Sequence, residues 1–174
     1  MAKDFSSLLD FSEHLLKAAT TEILAINEGL KLASELIQQE AKREIGHLQP
    51  QVGEFAAWEE LAESTKLDKD RKGYVFNSDY NPLYRTGHLR DSIEYEVNMP
   101  QLEAIIGSKW SVAAFQEFGT NRIPPRAFIG PAMFKNMEKI AQIFGEATII
   151  GIAGGNVIAS EIGRKIGYHQ DIKL

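Results

Sequence analysis

The sequence predicts an α+β domain: a long N-terminal helix, an antiparallel sheet built on one hairpin, and C-terminal helices. Three observations carry this prediction. Apolar residues recur at gaps of three and four from Phe5 to His47, the spacing of one helix face. Ser92–Val97 alternates strictly between apolar and polar residues, and a turn and a second short apolar run follow, which is a hairpin pattern. Helical spacing resumes near Pro131, a favoured first-turn residue. Residues 1–47 are therefore expected to be helical and 48–144 to form an α+β core with a long loop at 66–82. A glycine-rich helical or interface segment is expected at 145–174.

In the first helix the face comprises Leu8, Phe11, Leu15, Ala19, Ile23, Ile26, Leu30, Ala33, Ile37, Ala41 and Ile45. Unbroken, it would extend about 60 Å at 1.5 Å per residue, longer than a small domain is wide. It therefore either breaks near Gly29 or projects and packs against a neighbouring chain. Phe55, Trp58, Leu61 and Thr65 are spaced for a short helical stripe. The stretch Asp68–Pro82, rich in charge and turn formers, reads as a long exposed loop that orders on assembly.

In the hairpin, Ile93, Tyr95 and Val97 share one face, Asn98–Gln101 forms the turn, and Leu102–Gly107 returns. The apolar run Trp110–Phe118 ends at Gly119, a helix or turn stop. Pro124 and Pro125 fix an extended segment, since neither donates a backbone hydrogen bond. In the next helix Ala132, Met133, Met137, Ile140, Ala141 and Phe144 mark the expected buried side. Beyond Gly145, Ala147, Gly151, Gly155, Ala159, Gly163 and Gly167 recur every four residues beside an isoleucine ridge. Such a face lets another backbone approach closely and suits an interface helix.

Composition narrows the function classes. Hydrophobic residues at 44% and charged residues at 25% are ordinary for a globular chain and argue against disorder. The net charge of −5 argues against a protein that coats nucleic acid. Cysteine is absent, which excludes disulfides, thiolate zinc sites and cysteine nucleophiles. Asp4, Asp10 and Glu13 interrupt the first apolar run, and Ala147–Ser160 is too short and glycine-rich to span a bilayer. A soluble protein is expected.

No chemistry-bearing motif is complete. The run Gly151–Asn156 lacks the Lys-Ser/Thr of a phosphate loop. Asp68-x-Asp70-x-Lys72-Gly73 mimics a calcium loop, but Lys72 stands where an oxygen donor belongs. The four histidines form no i, i+4 pair, and no serine sits in a nucleophile elbow. No catalytic, cofactor-binding or metal-ligating residue is assigned, and the chain is not expected to be an enzyme. The cluster Lys66, Lys69, Arg71 and Lys72 is interleaved with Asp68 and Asp70; it reads as a solvated loop or a modest contact to nucleic acid when many copies surround it.

Two longer stretches are more specific: LYRTGHLRDSIEYEV (Leu83–Val97) with EAIIGS (Glu103–Ser108), and AAFQEFGTNRIPPRAFIGPA (Ala113–Ala132). Together they resemble the tail-completion, or neck, proteins of long-tailed bacteriophages and prophages. Upstream, Trp58–Lys69 resembles a stretch of the related Mu-type virion-morphogenesis proteins, so the likeness covers about residues 55–140. The resemblance implies a ring-forming α+β fold and a structural virion protein that completes the tail and helps join it to the head. Its implied place is the virion neck, and the host cytoplasm during assembly. Its implied partners are further copies of itself in a hexameric ring, neighbouring neck and tail proteins, and non-specifically the DNA in the channel. No membrane and no cofactor are implied.

On that reading Trp110, Phe115, Phe118, Arg126, Phe128, Gly151 and Gly155 are candidates for the assembly interface, with Arg126 pairing an acidic residue across it. The competing reading of the aromatics is a local core around the hairpin. Lys66, Lys69, Arg71 and Lys72 are candidates for the channel or a neighbour. Two competing functions are a DNA-binding or packaging accessory without a stable ring, and a nucleotide-using enzyme built around Gly151–Gly155.

Overall fold

The structure, a computed structural model, describes residues 5–152. It is α+β, as expected. Helix α1 (Leu8–Glu44) precedes α2 (Glu63–Arg71) and a single turn, α3 (His88–Asp91). Strands β1 (Ile93–Asn98) and β2 (Glu103–Ser108) form a two-stranded antiparallel sheet. Helices α4 (Ser111–Phe118), α5 (Ile129–Lys135) and α6 (Met137–Ile152) follow. Among the described residues, no helix is long and apolar enough to cross a membrane.

The chain divides into two compact units, each drawing on distant segments. The first takes residues up to Ala33, the hairpin tip and the chain from Glu138. Here α6 buries Ile143, Ala147, Ile150 and Gly151. A Cβ on Gly29 would stand 3.4 Å from the Ala147 methyl, and one on Gly151 only 2.6 Å from the Glu22 Cα. The pairing of 29 with 147 and 22 with 151 makes the two helices antiparallel. Their small residues let the backbones approach. Gly29 is therefore a packing position, and α1 runs through it without the alternative break. Gly151, assigned to the assembly interface, packs instead on the chain's own first helix, and Gly155 and the rest of that ridge lie outside the described residues. Leu8, Leu9, Leu15, Leu16, Ile23 and Leu24 on α1 are exposed.

The expected buried side of the last helix needs correction. Met133, Met137 and Ala141 are exposed. The Asn136 side chain donates to the Ala132 carbonyl at 2.8 Å and caps α5, so α6 restarts at Met137 in a new register. Helix α6 runs through Gly145 to Ile152, so the first residues of the expected 145–174 segment are helical.

The second unit takes residues 34–96 and 105–137. Its buried apolar residues include Leu36, Ile37, Ala41, Ile45, Trp58, Leu89, Ile93, Phe128 and Ala132. The strand alternation is as expected, with Ile93 buried, Tyr95 and Val97 half-buried, and Glu94 and Glu96 exposed. Gln38 Nε2 donates to the Ile93 carbonyl at 2.7 Å, and the Tyr95 hydroxyl donates to Glu35 at 2.8 Å, tying β1 to α1.

The expected helical stripe from Phe55 to Thr65 is not helical before Glu63. Val52 and Phe55 form a bridge, and Trp58 donates its backbone N–H to Gln49 and its indole N–H to the Ala127 carbonyl, both at 2.9 Å. Those long-range bonds outweigh the local spacing. The helix forms later, at Glu63–Arg71, across the end of that stripe and the start of the expected 66–82 loop. It has almost no apolar stripe, and its charges pair along the helix as Glu63–Lys66 and Asp68–Lys72.

Glu44 is buried at 2% exposure, with Lys135 Nζ 2.9 Å from Oε1 and Glu40 also near that ammonium. Burial pushes the Glu44 carboxyl up to about 7, against the pull of Lys135. Since its folded-state pKa lies above the ordinary 4.5, the native state holds this proton where the unfolded chain has lost it. This group's contribution to stability therefore falls as pH rises from about 4.5 to about 7. Urea midpoints at pH 5 and pH 8 should differ in that direction, and Glu44→Gln should reduce the difference.

Candidate functional site

The segment 113–132 is held by bonds that its own residues provide. Gly119 ends α4 at φ 72°, where a Cβ would stand 2.9 Å from both the Ile123 carbonyl and the Pro125 nitrogen. Thr120 Oγ1 accepts from the backbone of Arg122 and Ile123, closing the turn before the prolines. The Arg126 N–H donates to the Gln116 carbonyl at 2.7 Å. Glu117 then caps α5 from a distance: its carboxylate accepts from the backbone N–H of Phe128 (2.8 Å), Ile129 (3.1 Å) and Gly130 (3.0 Å). These are the donors that a helix start leaves without partners, and a negative charge is favoured there.

Residues 74–86 are ordered by one buried cation. Lys69 Nζ donates to the carbonyls of Tyr80, Asn81 and Tyr84 at 2.7, 2.5 and 2.8 Å. Around it Tyr80, Asn81 and Leu83 adopt positive φ. Asn77 and Asn81 side chains accept from the backbone of 76, 79 and 81, while Gly46 N–H donates to the Pro82 carbonyl at 2.9 Å. The loop is thus internally bonded within one chain, and with Asn81 and Pro82 buried it is not the uniformly exposed loop expected from the sequence. Burial first, and Arg85 second, draw the Lys69 ammonium down to about 8, so it stays largely charged at neutral pH.

The candidate residues separate accordingly. Trp110, Phe115 and Phe118 flank or lie on α4 and are 43%, 51% and 81% exposed. Phe128 is fully buried and belongs to the core, so it presents no docking surface; Arg126 is 7% exposed, its guanidinium donates to the carbonyls of Glu59 and Glu60, and it lines a cleft rather than an open face. Lys69 is likewise turned inward and cannot line a channel. Lys66 pairs with Glu60 and Glu63, Lys72 pairs with Asp68, and Arg71 is exposed. Asp68 and Asp70 lie on α2 rather than in a calcium loop, and the described residues contain no cluster able to hold a metal ion.

Within the second unit a cleft of about 730 Å³ opens between α2, the 83–89 segment, the start of α4 and the 122–126 turn. Its walls mix Leu61, Val112, Ile123 and Trp110 with charged groups, among them Arg122 and Arg126. The volume is that of a ligand-sized site. Sequence reasoning missed both this cleft and the role of Glu117. The cleft's walls come from four separate stretches, and Glu117 looks like any helix-surface carboxylate. No family model, curated protein or solved structure matches the chain.

Proposed function

We propose that this is a structural protein of a bacteriophage or prophage neck, not a catalyst, which forms a ring of six copies around the DNA channel, completes the tail and helps join it to the head. The observation that carries the reading is the exposure of three large aromatics, Trp110, Phe115 and Phe118, in the region that resembles neck proteins. Large aromatics in water are unfavourable in a monomer and are typical anchors of subunit contacts. The exposed leucines and Ile23 on the first half of α1 offer a second apolar surface. A cyclic ring needs two different surfaces on each copy. The pairing of Lys66 and Lys72 and the burial of Lys69 weigh against the DNA-binding accessory. Deleting the coding sequence from the genome that carries it should leave DNA-filled heads and separate tails in electron micrographs. Joined particles at normal yield would refute the reading.

A further inference from the structure

The geometry points to a binding site for one carboxylate carried on an apolar body, in the cleft between α2 and the start of α4. This goes beyond the assembly reading and stands without it. Arg126 lines the cleft, is 7% exposed, and donates through one terminal nitrogen to the carbonyls of Glu59 and Glu60 at 3.0 and 3.4 Å. Its Nε is buried with no hydrogen-bond partner. Among the described residues no carboxylate pairs with Arg126 or with the exposed Arg122 on the same wall. Glu59 acts on Arg126 electrostatically without forming an ion pair, so the buried guanidinium lacks a bonded carboxylate, a group whose geometry matches it.

The charge balance selects the size of the anion. Among the lining charges Arg85 pairs with Asp68, Glu60 pairs with Lys66 outside the cleft, and the Lys69 ammonium is bonded to three carbonyls, which leaves Arg122 and Arg126 facing Glu59. Two cations against one anion leaves one positive charge. A monoanion neutralises it, whereas a phosphate dianion or a nucleic-acid strand would exceed it and meet the Glu59 carboxylate. Leu61, Val112, Ile123 and the ring of Trp110 supply the apolar wall for the rest of the ligand. The carboxylate has two sources, a free organic acid or an acidic side chain of a second copy.

The test is an NMR titration of the full chain with phenylacetate, phenylacetamide and phenyl phosphate. Phenylacetate should shift the resonances of Leu61, Trp110 and Ile123 and bind about tenfold more tightly than either analogue. Arg126→Gln should remove that preference. Arg122→Gln, on the exposed rim where folding is not at stake, should weaken phenylacetate severalfold and leave the amide unchanged. Native mass at saturating phenylacetate separates the sources: a fall identifies a second copy as the donor, and an unchanged mass identifies a free acid. Equal binding of acid and amide, or no binding of phenylacetate, would overturn the site, whatever the oligomeric state.

Discussion

Replacing Lys69 with Met should lower the stability of the protein by about 3 kcal/mol or more, the scale for leaving buried polar groups without their charged partner. Methionine keeps the length of the side chain and removes every donor. The carbonyls of Tyr80, Asn81 and Tyr84 then lose a shared ammonium in a place that is largely closed to water. Left-handed backbone at non-glycine residues costs about 1 kcal/mol or more each, and Tyr80, Asn81 and Leu83 all adopt it around this cation. Lys69→Arg should not restore stability, because a planar guanidinium cannot converge on three carbonyls as an ammonium does. Urea denaturation measures the loss, and amide exchange should show it concentrated between Phe76 and Tyr84. A change under about 0.5 kcal/mol, the range of an ordinary surface substitution, would contradict the role assigned to Lys69.

Glu117→Ala should cost about 2–3 kcal/mol, the scale of charge-assisted hydrogen bonds at a helix start. Three backbone donors lose their acceptor at once. Water can replace only part of it, since Phe128 beside them is fully buried. Glu117→Gln keeps the shape and one acceptor oxygen, so about half the loss is expected. Circular dichroism with chemical denaturation measures both variants. Equal stability of wild type and Glu117→Ala would show that α5 needs no cap from α4.

Much of this architecture is written in local pattern. The three-four spacing of α1, the Ile93–Val97 alternation and the stop at Gly119 depend on neighbours within a few residues, and each is present as expected. The departures have long-range causes. Helix α2 has no apolar face to read because its support comes from ion pairs and from Lys69, which bonds residues 11 to 15 positions away. Trp58 is spaced for a helix yet donates across 69 residues to Ala127, which keeps its segment extended. Arg126 and Lys69 look like surface cations in sequence, and only the chain's path turns them inward. The exposed aromatics on α4 were legible as a cluster, while their division into exposed Phe118 and buried Phe128 was not.

The central claim is that this chain assembles through its exposed apolar surfaces into a ring. The most direct test is light scattering on a sizing column, with negative-stain imaging of the eluted peak, for wild type and Phe118→Ser, alone and with purified tails. The account predicts a wild-type ring with a central channel, formed in solution or on the tails, and a folded Phe118→Ser variant that fails to form it. A wild-type monomer that also ignores tails, or a ring that Phe118→Ser leaves intact, would contradict it.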